Sequence, residues 1–188
     1  MSLRLFVAIE LPEDVRQAAA DAAEAALQGA PEWRLTHRDE LHVTLAFLGA
    51  AVDPALLDPI QERLREAASV AMPFATSLRG LESFPEEGRA RVVWVGLDNT
   101  GARLAALADT VASVLRNLVD LDERPFRAHL TVARARRPAR LPAALLAASV
   151  EPRSFEVREI TLFRSTPSAA PGARYEALGR WPLGPLAP

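Results

Sequence analysis

Short runs of apolar residues at strand spacing alternate along this chain with longer stretches whose apolar positions recur at helical spacing. Residues 4–10 (RLFVAIE) predict a first strand. Pro12 and Glu13 then open an Ala-rich helix that runs to about Leu27 and ends near Gly29. LHVTLAFLG, residues 41–49, predicts a strand stopped by Gly49. Asp53 caps a second helix with Pro54 at its first position, reaching about Val70. Residues 74–81 and 91–97 predict strands on either side of a polar turn at Glu86, Glu87 and Gly88. A third helix is expected from about Thr100 to Val119, followed by a strand over FRAHLTVAR, residues 126–134. Pro138 and Pro142 mark a loop and a short helix to about Ser149, and two last strands cover 155–164 and 174–181.

The order of these elements repeats. A shift of 87 residues lays Arg4-Leu5-Phe6-Val7-Ala8 over Arg91-Val92-Val93-Trp94-Val95, and His42-Val43-Thr44-Leu45-Ala46 over His129-Leu130-Thr131-Val132-Ala133. Each half then reads strand, helix, strand, helix, strand, with Phe74 and Phe155 opening the last strands at a slightly shorter offset. The expected fold is α+β: one two-lobed domain over residues 1–188, bilobal and duplicated. Two antiparallel sheets with outer helices are expected to be related by a pseudo-twofold axis around a central cleft.

Composition narrows the chemistry more than the fold. With 49% hydrophobic and 24% charged residues the chain can build a sizeable core. No apolar run approaches the roughly 18 residues of a membrane span, and the N-terminal stretch lacks the apolar region and cleavage site of a signal peptide. A cytoplasmic protein is expected, and a monomer, since no surface stripe stands out. There is no cysteine, which excludes thiol nucleophiles, disulfides and Cys-ligated zinc. There is also no lysine, which excludes a lysyl-nucleotide intermediate, a Schiff base and a P-loop lysine. The net charge of −2 argues against a general polyanion binder. Arg134, Arg136, Arg137 and Arg140 nevertheless cluster, and this reads either as a solvated loop or as a phosphate-facing patch.

Only three histidines occur, His37, His42 and His129, and the last two are each followed two residues later by threonine. With so few threonines, chance gives such a double match roughly 0.5% of the time. Alternate strand residues share a face, so each histidine lies beside its own threonine, while Val43, Leu45 and Phe47, and likewise Leu130 and Val132, should face the packed layer. Two imidazoles brought together by the twofold axis can supply one base and one acid near neutral pH. That suits an in-line phosphodiester displacement, with Thr44 and Thr131 hydroxyls on the non-bridging oxygens. No metal or other cofactor is expected.

LHVTLAFLG and FRAHLTVAR, with the opening RLFVAIELP and a late PGARYEAL, closely resemble the bacterial 2′-5′ RNA ligase-like proteins. These form the RNA 2′,3′-cyclic phosphodiesterase family of the two-histidine phosphoesterase superfamily, and the resemblance covers essentially the whole chain. It implies metal-independent opening of a 2′,3′-cyclic phosphate at an RNA end, or on a small nucleotide, to a 2′-phosphate. It implies that His42 protonates the leaving O3′ and His129 activates water, an assignment that the near-symmetry of the halves leaves reversible, and that Thr44 and Thr131 bind the phosphate. Arg134, five residues after His129, matches the family's second motif and adds a contact to the phosphate. Strict pleating puts Arg134 opposite His129, so a bulge or the strand's end has to turn it inward. The first motif has Phe47 at the equivalent position.

Reversible 2′-5′ ligation, hydrolysis of another 2′-linked nucleotide, and RNA binding without turnover are the alternatives. His37 reads as a surface residue. Trp33, Trp94 and Trp181 read as packing residues, whereas Phe84 and Tyr175 lie where either could stack on a base.

Overall fold

The computed structural model describes residues 2–86, 88–98, 100–122 and 124–185. In chain order the elements are β1 (Leu3–Glu10), α1 (Glu13–Ala26), β2 (Trp33–Leu35), β3 (His42–Val52), α2 (Leu57–Val70), β4 (Phe74–Phe84) and β5 (Arg89–Leu97). Then follow α3 (Arg103–Leu115), β6 (His129–Arg140), α4 (Ala143–Ala147), β7 (Ser154–Val157), β8 (Glu159–Ser165) and β9 (Tyr175–Pro182). The strands run β7-β4-β5-β6-β3-β1-β8-β9, every pairing antiparallel, with β2 added to β6.

The two halves of this order, β9-β8-β1-β3 and β7-β4-β5-β6, meet where Val43 of β3 faces Leu130 of β6. Those are the middle residues of the two His-x-Thr motifs, so the pseudo-twofold axis passes between the motifs. The expected bilobal α+β fold with outer helices is what the chain forms. The third strand of each repeat crosses over: β4 pairs with β5 of the second half, and β8 pairs with β1 of the first. The helices exchange likewise, α1 packing against β4 and β6, and α3 against β3.

Packing explains these positions. On α1 the buried residues Val15, Ala19, Ala23 and Ala26 form a stripe of small side chains that lets the helix lie close to the sheet. Val7, Val43, Leu45, Leu130 and Val132 bury on the same side of the sheet and join Ile60, Leu64, Leu104 and Val111 from the helices in one core. Each such side chain stabilises the fold by about 1.5–3 kcal/mol, which anchors both motif strands from behind. Asp53 caps the second helix as expected, its carboxylate accepting from the Ala55 N–H at 3.0 Å, through a 3₁₀ turn over Pro54–Leu56.

Several expectations are corrected. Gly49 does not stop β3; it takes φ +134° in an irregular pairing with Leu5, and the strand continues to Val52. Strand β6 starts at His129 rather than at residue 126 and runs on through Pro138. Proline is tolerated there because the β5 ladder is interrupted between Arg134 and Ala139, so no N–H is missed. The single strand expected over 155–164 is two, β7 and β8, parted at Arg158 and serving opposite halves of the sheet. The third helix is shorter at both ends, and β2 went unforeseen because three residues carry no periodicity. The repeat is also one residue out in its first strands: Glu10 faces His42 whereas Gly96 faces His129, so Glu10 matches Gly96 rather than Leu97. The turn expected at Glu86 to Gly88 includes Glu87, which lies outside the described residues.

Candidate active site

Strict alternation would carry Phe47 and Arg134 away from the histidines, and a pair of bulges prevents it. Ala8 faces Thr44 and Val7 faces Ala46, so β3 holds one extra residue there. In the same way Trp94 faces Thr131 and Val93 faces Ala133 on β6. Leu45 and Ala46, and Val132 and Ala133, are therefore all buried in succession, and the next residues, Phe47 and Arg134, turn to the concave face. Phe47, expected in the packed layer, is instead 39% exposed beneath the Arg4 guanidinium, 4.5 Å from its ring centre.

One cleft of about 210 Å³ is lined by His42, Thr44, His129, Thr131 and Arg134, all five residues singled out from the sequence. Arg4, Thr36, Phe47 and Tyr175 complete much of its wall. His37 lies apart, exposed, its Nδ1 accepting the Asp39 N–H at 3.3 Å at the start of a 3₁₀ turn. Trp33, Trp94 and Trp181 are buried. Phe84 and Tyr175 are walls for the histidines: Phe84 stacks on Trp94 and meets His129 edge-on at 5.4 Å, and Tyr175 meets His42 edge-on at 5.1 Å.

Each imidazole is held the same way. Nδ1 of His42 lies 2.7 Å from the Glu40 carbonyl, and Nδ1 of His129 lies 2.7 Å from the Arg127 carbonyl. A carbonyl oxygen only accepts, so Nδ1 carries the proton in both rings and each neutral Nε2 is left as an acceptor. Thr44 donates its hydroxyl to Nε2 of His42 at 3.1 Å. Burial against Phe6, 4.8 Å away, and Tyr175 is the main reason the His42 pKa falls from 6.5 to about 4. The Glu40 hydrogen bond opposes that fall, and the charges of Arg134 and His129 add to it. His129 is lowered too, first by burial, against its Arg127 hydrogen bond, with the Arg134 and Arg127 charges contributing.

The residues supplying the two carbonyls have opposite charge. Glu40 is 3% exposed and accepts from the Gly172 N–H at 2.7 Å and from Arg174 Nη1 at 2.9 Å, tying the β8–β9 connection to the approach to His42. Arg127 pairs with Glu82 at 2.9 Å and with Glu86, and lies 4.7 Å over the Trp94 ring. Reasoning from sequence missed Glu40, Arg127 and Arg4. The available signal was position: Glu40 and Arg127 each stand two residues before a motif histidine, and Arg4 is a cation near the start of a strand whose next five residues are apolar. Among the described residues no group of three His, Asp or Glu side chains is placed to hold a metal ion.

The geometry has relatives. Residues 11–168 match the family described as the 2′-5′ RNA ligase superfamily. An RNA 2′,3′-cyclic phosphodiesterase of Geobacillus stearothermophilus is 32% identical over 181 residues, 95% of this chain and 56% of that protein, so the chain spans little more than half of that relative's length. An RNA 2′,3′-cyclic phosphodiesterase of Archaeoglobus fulgidus is 36% identical over 135 residues, 72% of this chain and 74% of that one. The crystal structure of E. coli LigT complexed with 3′-AMP superposes with a TM-score of 0.76 at 28% identity, over 97% of this chain and 99% of that one.

Proposed function

This chain belongs to the 2′-5′ RNA ligase superfamily, and we propose that it opens 2′,3′-cyclic phosphates at RNA ends to 2′-phosphates by two-histidine acid–base catalysis without a metal ion. The observation that carries the reading is the pairing of Val43 with Leu130, which sets two imidazoles with unprotonated Nε2 atoms on one cleft beside Arg134. Nε2 of His129 takes a proton from water as the water oxygen attacks phosphorus. The P–O3′ bond breaks, and O3′ receives the proton from Nε2 of His42. Arg134 and the hydroxyls of Thr44 and Thr131 hold the non-bridging oxygens, where charge must be stabilised.

The charges behind the rings favour this division of labour. Burial lowers both pKa values first; behind the rings the Glu40 carboxylate opposes that fall on His42, whereas the Arg127 guanidinium adds to it on His129. A proton on His42 is held weakly in the free protein; an anionic phosphate in the cleft raises its hold on that proton until the proton passes to O3′. The Thr44 hydroxyl, which donates to neutral Nε2, turns its proton to a phosphate oxygen as that phosphate binds. Because both rings present Nε2 to the cleft, the same proton transfers run backwards would join RNA ends 2′-5′. The reading takes the chain as one two-lobed unit, a cytoplasmic monomer acting on RNA ends or small nucleotides; among the described residues no helix is long and apolar enough to cross a membrane.

The test is a short RNA with a 2′,3′-cyclic phosphate end, incubated in EDTA with wild type, His42→Ala and His129→Ala, followed by identification of the end group. Wild type should give the 2′-phosphate, and each variant should lose about 10²–10⁴-fold in rate. No conversion by wild type, or full activity in either variant, refutes the reading.

A further inference from the structure

The arginines beyond Arg134 have no part in the reaction just described, yet they lie on a strand and not in a solvated loop. Arg34, Arg89, Arg136, Arg137 and Arg140 surround a groove of about 970 Å³ whose rim carries one carboxylate residue, Glu32. Elsewhere the exposed arginines are mostly matched, as Arg124 is by Asp122, Arg127 by Glu82, Arg158 by Glu156 and Arg180 by Glu10. In the groove Arg34, Arg136, Arg137 and Arg140 have no ion-pair partner among the described residues, and Arg89 spends its Nε–H on the Pro138 carbonyl at 2.8 Å. Converging cations raise one another's energy, and a bound polyanion relieves that repulsion. On a chain of net charge −2 the concentration is local.

The groove and the reaction cleft are lined by neighbouring residues of one ribbon. Strand β2 pairs with β6, with Arg34 facing Arg134. Thr36 and Arg134 line the cleft; Arg34 and Arg136, each two residues further along the same ribbon, line the groove. Two residues of strand cover about 7 Å, close to one phosphate step of an extended single strand. A cyclic phosphate is the 3′ terminus of its RNA, so the remaining nucleotides must leave the cleft on their 5′ side.

We propose that the arginine groove along the β2–β6 ribbon binds the upstream phosphates of a single-stranded RNA whose cyclic 3′ end lies in the cleft, making oligonucleotides rather than mononucleotides the preferred substrates. The proposal rests on the reaction assigned to the cleft for the polarity of the strand.

The test compares wild type with Arg136→Gln/Arg137→Gln/Arg140→Gln, and separately with Arg34→Gln on the other strand. Substrates are a 2′,3′-cyclic mononucleotide and a single-stranded octanucleotide with the same end. The triple variant should lose about tenfold or more in kcat/KM on the octanucleotide, through KM, and stay within about twofold on the mononucleotide; Arg34→Gln should lose less in the same direction. Fluorescence anisotropy with a 3′-hydroxyl octanucleotide reads the groove without turnover. For three to four engaged phosphates the wild-type slope of log affinity against log salt should be about −2 to −3, and it should flatten in the triple variant. Equal loss on both substrates, unchanged octanucleotide kinetics and binding, or equally tight binding of a glutamate peptide of matching charge would overturn the proposal. Failure of wild type to open any cyclic phosphate defeats the reading of the cleft, while the anisotropy still decides the groove.

Discussion

The depressed His42 pKa makes the fold itself sensitive to acid, and the size of that sensitivity follows from the structure. In the unfolded chain His42 takes up a proton near 6.5; in the folded protein burial delays uptake to about 4. Between those values the unfolded state holds more protons, so stability falls as pH drops from above 6.5 towards 4 and levels off below. The full fall from 6.5 to about 4 corresponds to about 3 kcal/mol, of which roughly 2–3 kcal/mol is lost by pH 4.5. The His129 pKa is lowered by burial as well, so the comparison must isolate one ring. Urea denaturation of wild type and His42→Asn at pH 7.5 and at pH 4.5 does this, because everything except His42 cancels in the double difference. Wild type should lose about 2 kcal/mol more than the variant between the two conditions. Losses equal within about 0.5 kcal/mol, or a His42 imidazole that titrates at or above 6.5 by NMR, would refute the burial argument.

Other substitutions test the parts around that ring. Arg134→Ala should lower kcat/KM by about 10–100-fold, the worth of charge-assisted hydrogen bonds to phosphate. It should also raise the His42 pKa, seen by NMR titration, because the guanidinium is one of the charges that depress it. Thr44→Val should reduce kcat by about tenfold or more while leaving the NMR spectrum of the core unchanged; activity at the wild-type level would show that the hydroxyl does not meet the phosphate. Glu40→Gln keeps the shape but removes the charge that holds Arg174 and the Gly172 N–H. With Arg174 35% exposed the cost is put at about 1–2 kcal/mol, or roughly 3–6 °C in Tm, and a Tm within about a degree of wild type contradicts it.

What the sequence made legible was whatever repeats. Two His-x-Thr strands, their anchoring Val43, Leu45, Leu130 and Val132, and the duplicated strand–helix order all carry a period that can be read from one chain. That the two motifs meet was implied by the symmetry, though not that β3 and β6 pair directly, and the inward turn of Arg134 by the conflict between pleating and its place five residues after His129. What remained illegible depends on a single extra residue or on distance along the chain. The bulge that turns Arg134 inward does the same to Phe47, but nothing polar at Phe47 raised the question. The Glu40–Arg174 pair joins residues 134 positions apart, and no periodicity records it. The split at Arg158 lay hidden in one continuous apolar run whose two parts serve opposite halves of the sheet.

Duplication alone would give a site with two equivalent histidines, and an acid and a base cannot be equivalent. The shared scaffold keeps what both roles need: a strand, an apolar anchor, a carbonyl on Nδ1 and aromatic walls. The differences are confined to charge and exposure. Glu40 against Arg127 reverses the sign behind the ring, and where the second motif has Arg134 the first has Phe47, with Arg4 of β1 lying over its ring. The arginine groove lies on the Arg134 side along β2 and β6, so the proposed path of an RNA chain runs past the strand that carries His129. The proposed proton donor, the proposed phosphate clamp and the proposed path of an RNA chain all draw on these breaks in the symmetry of one duplicated frame.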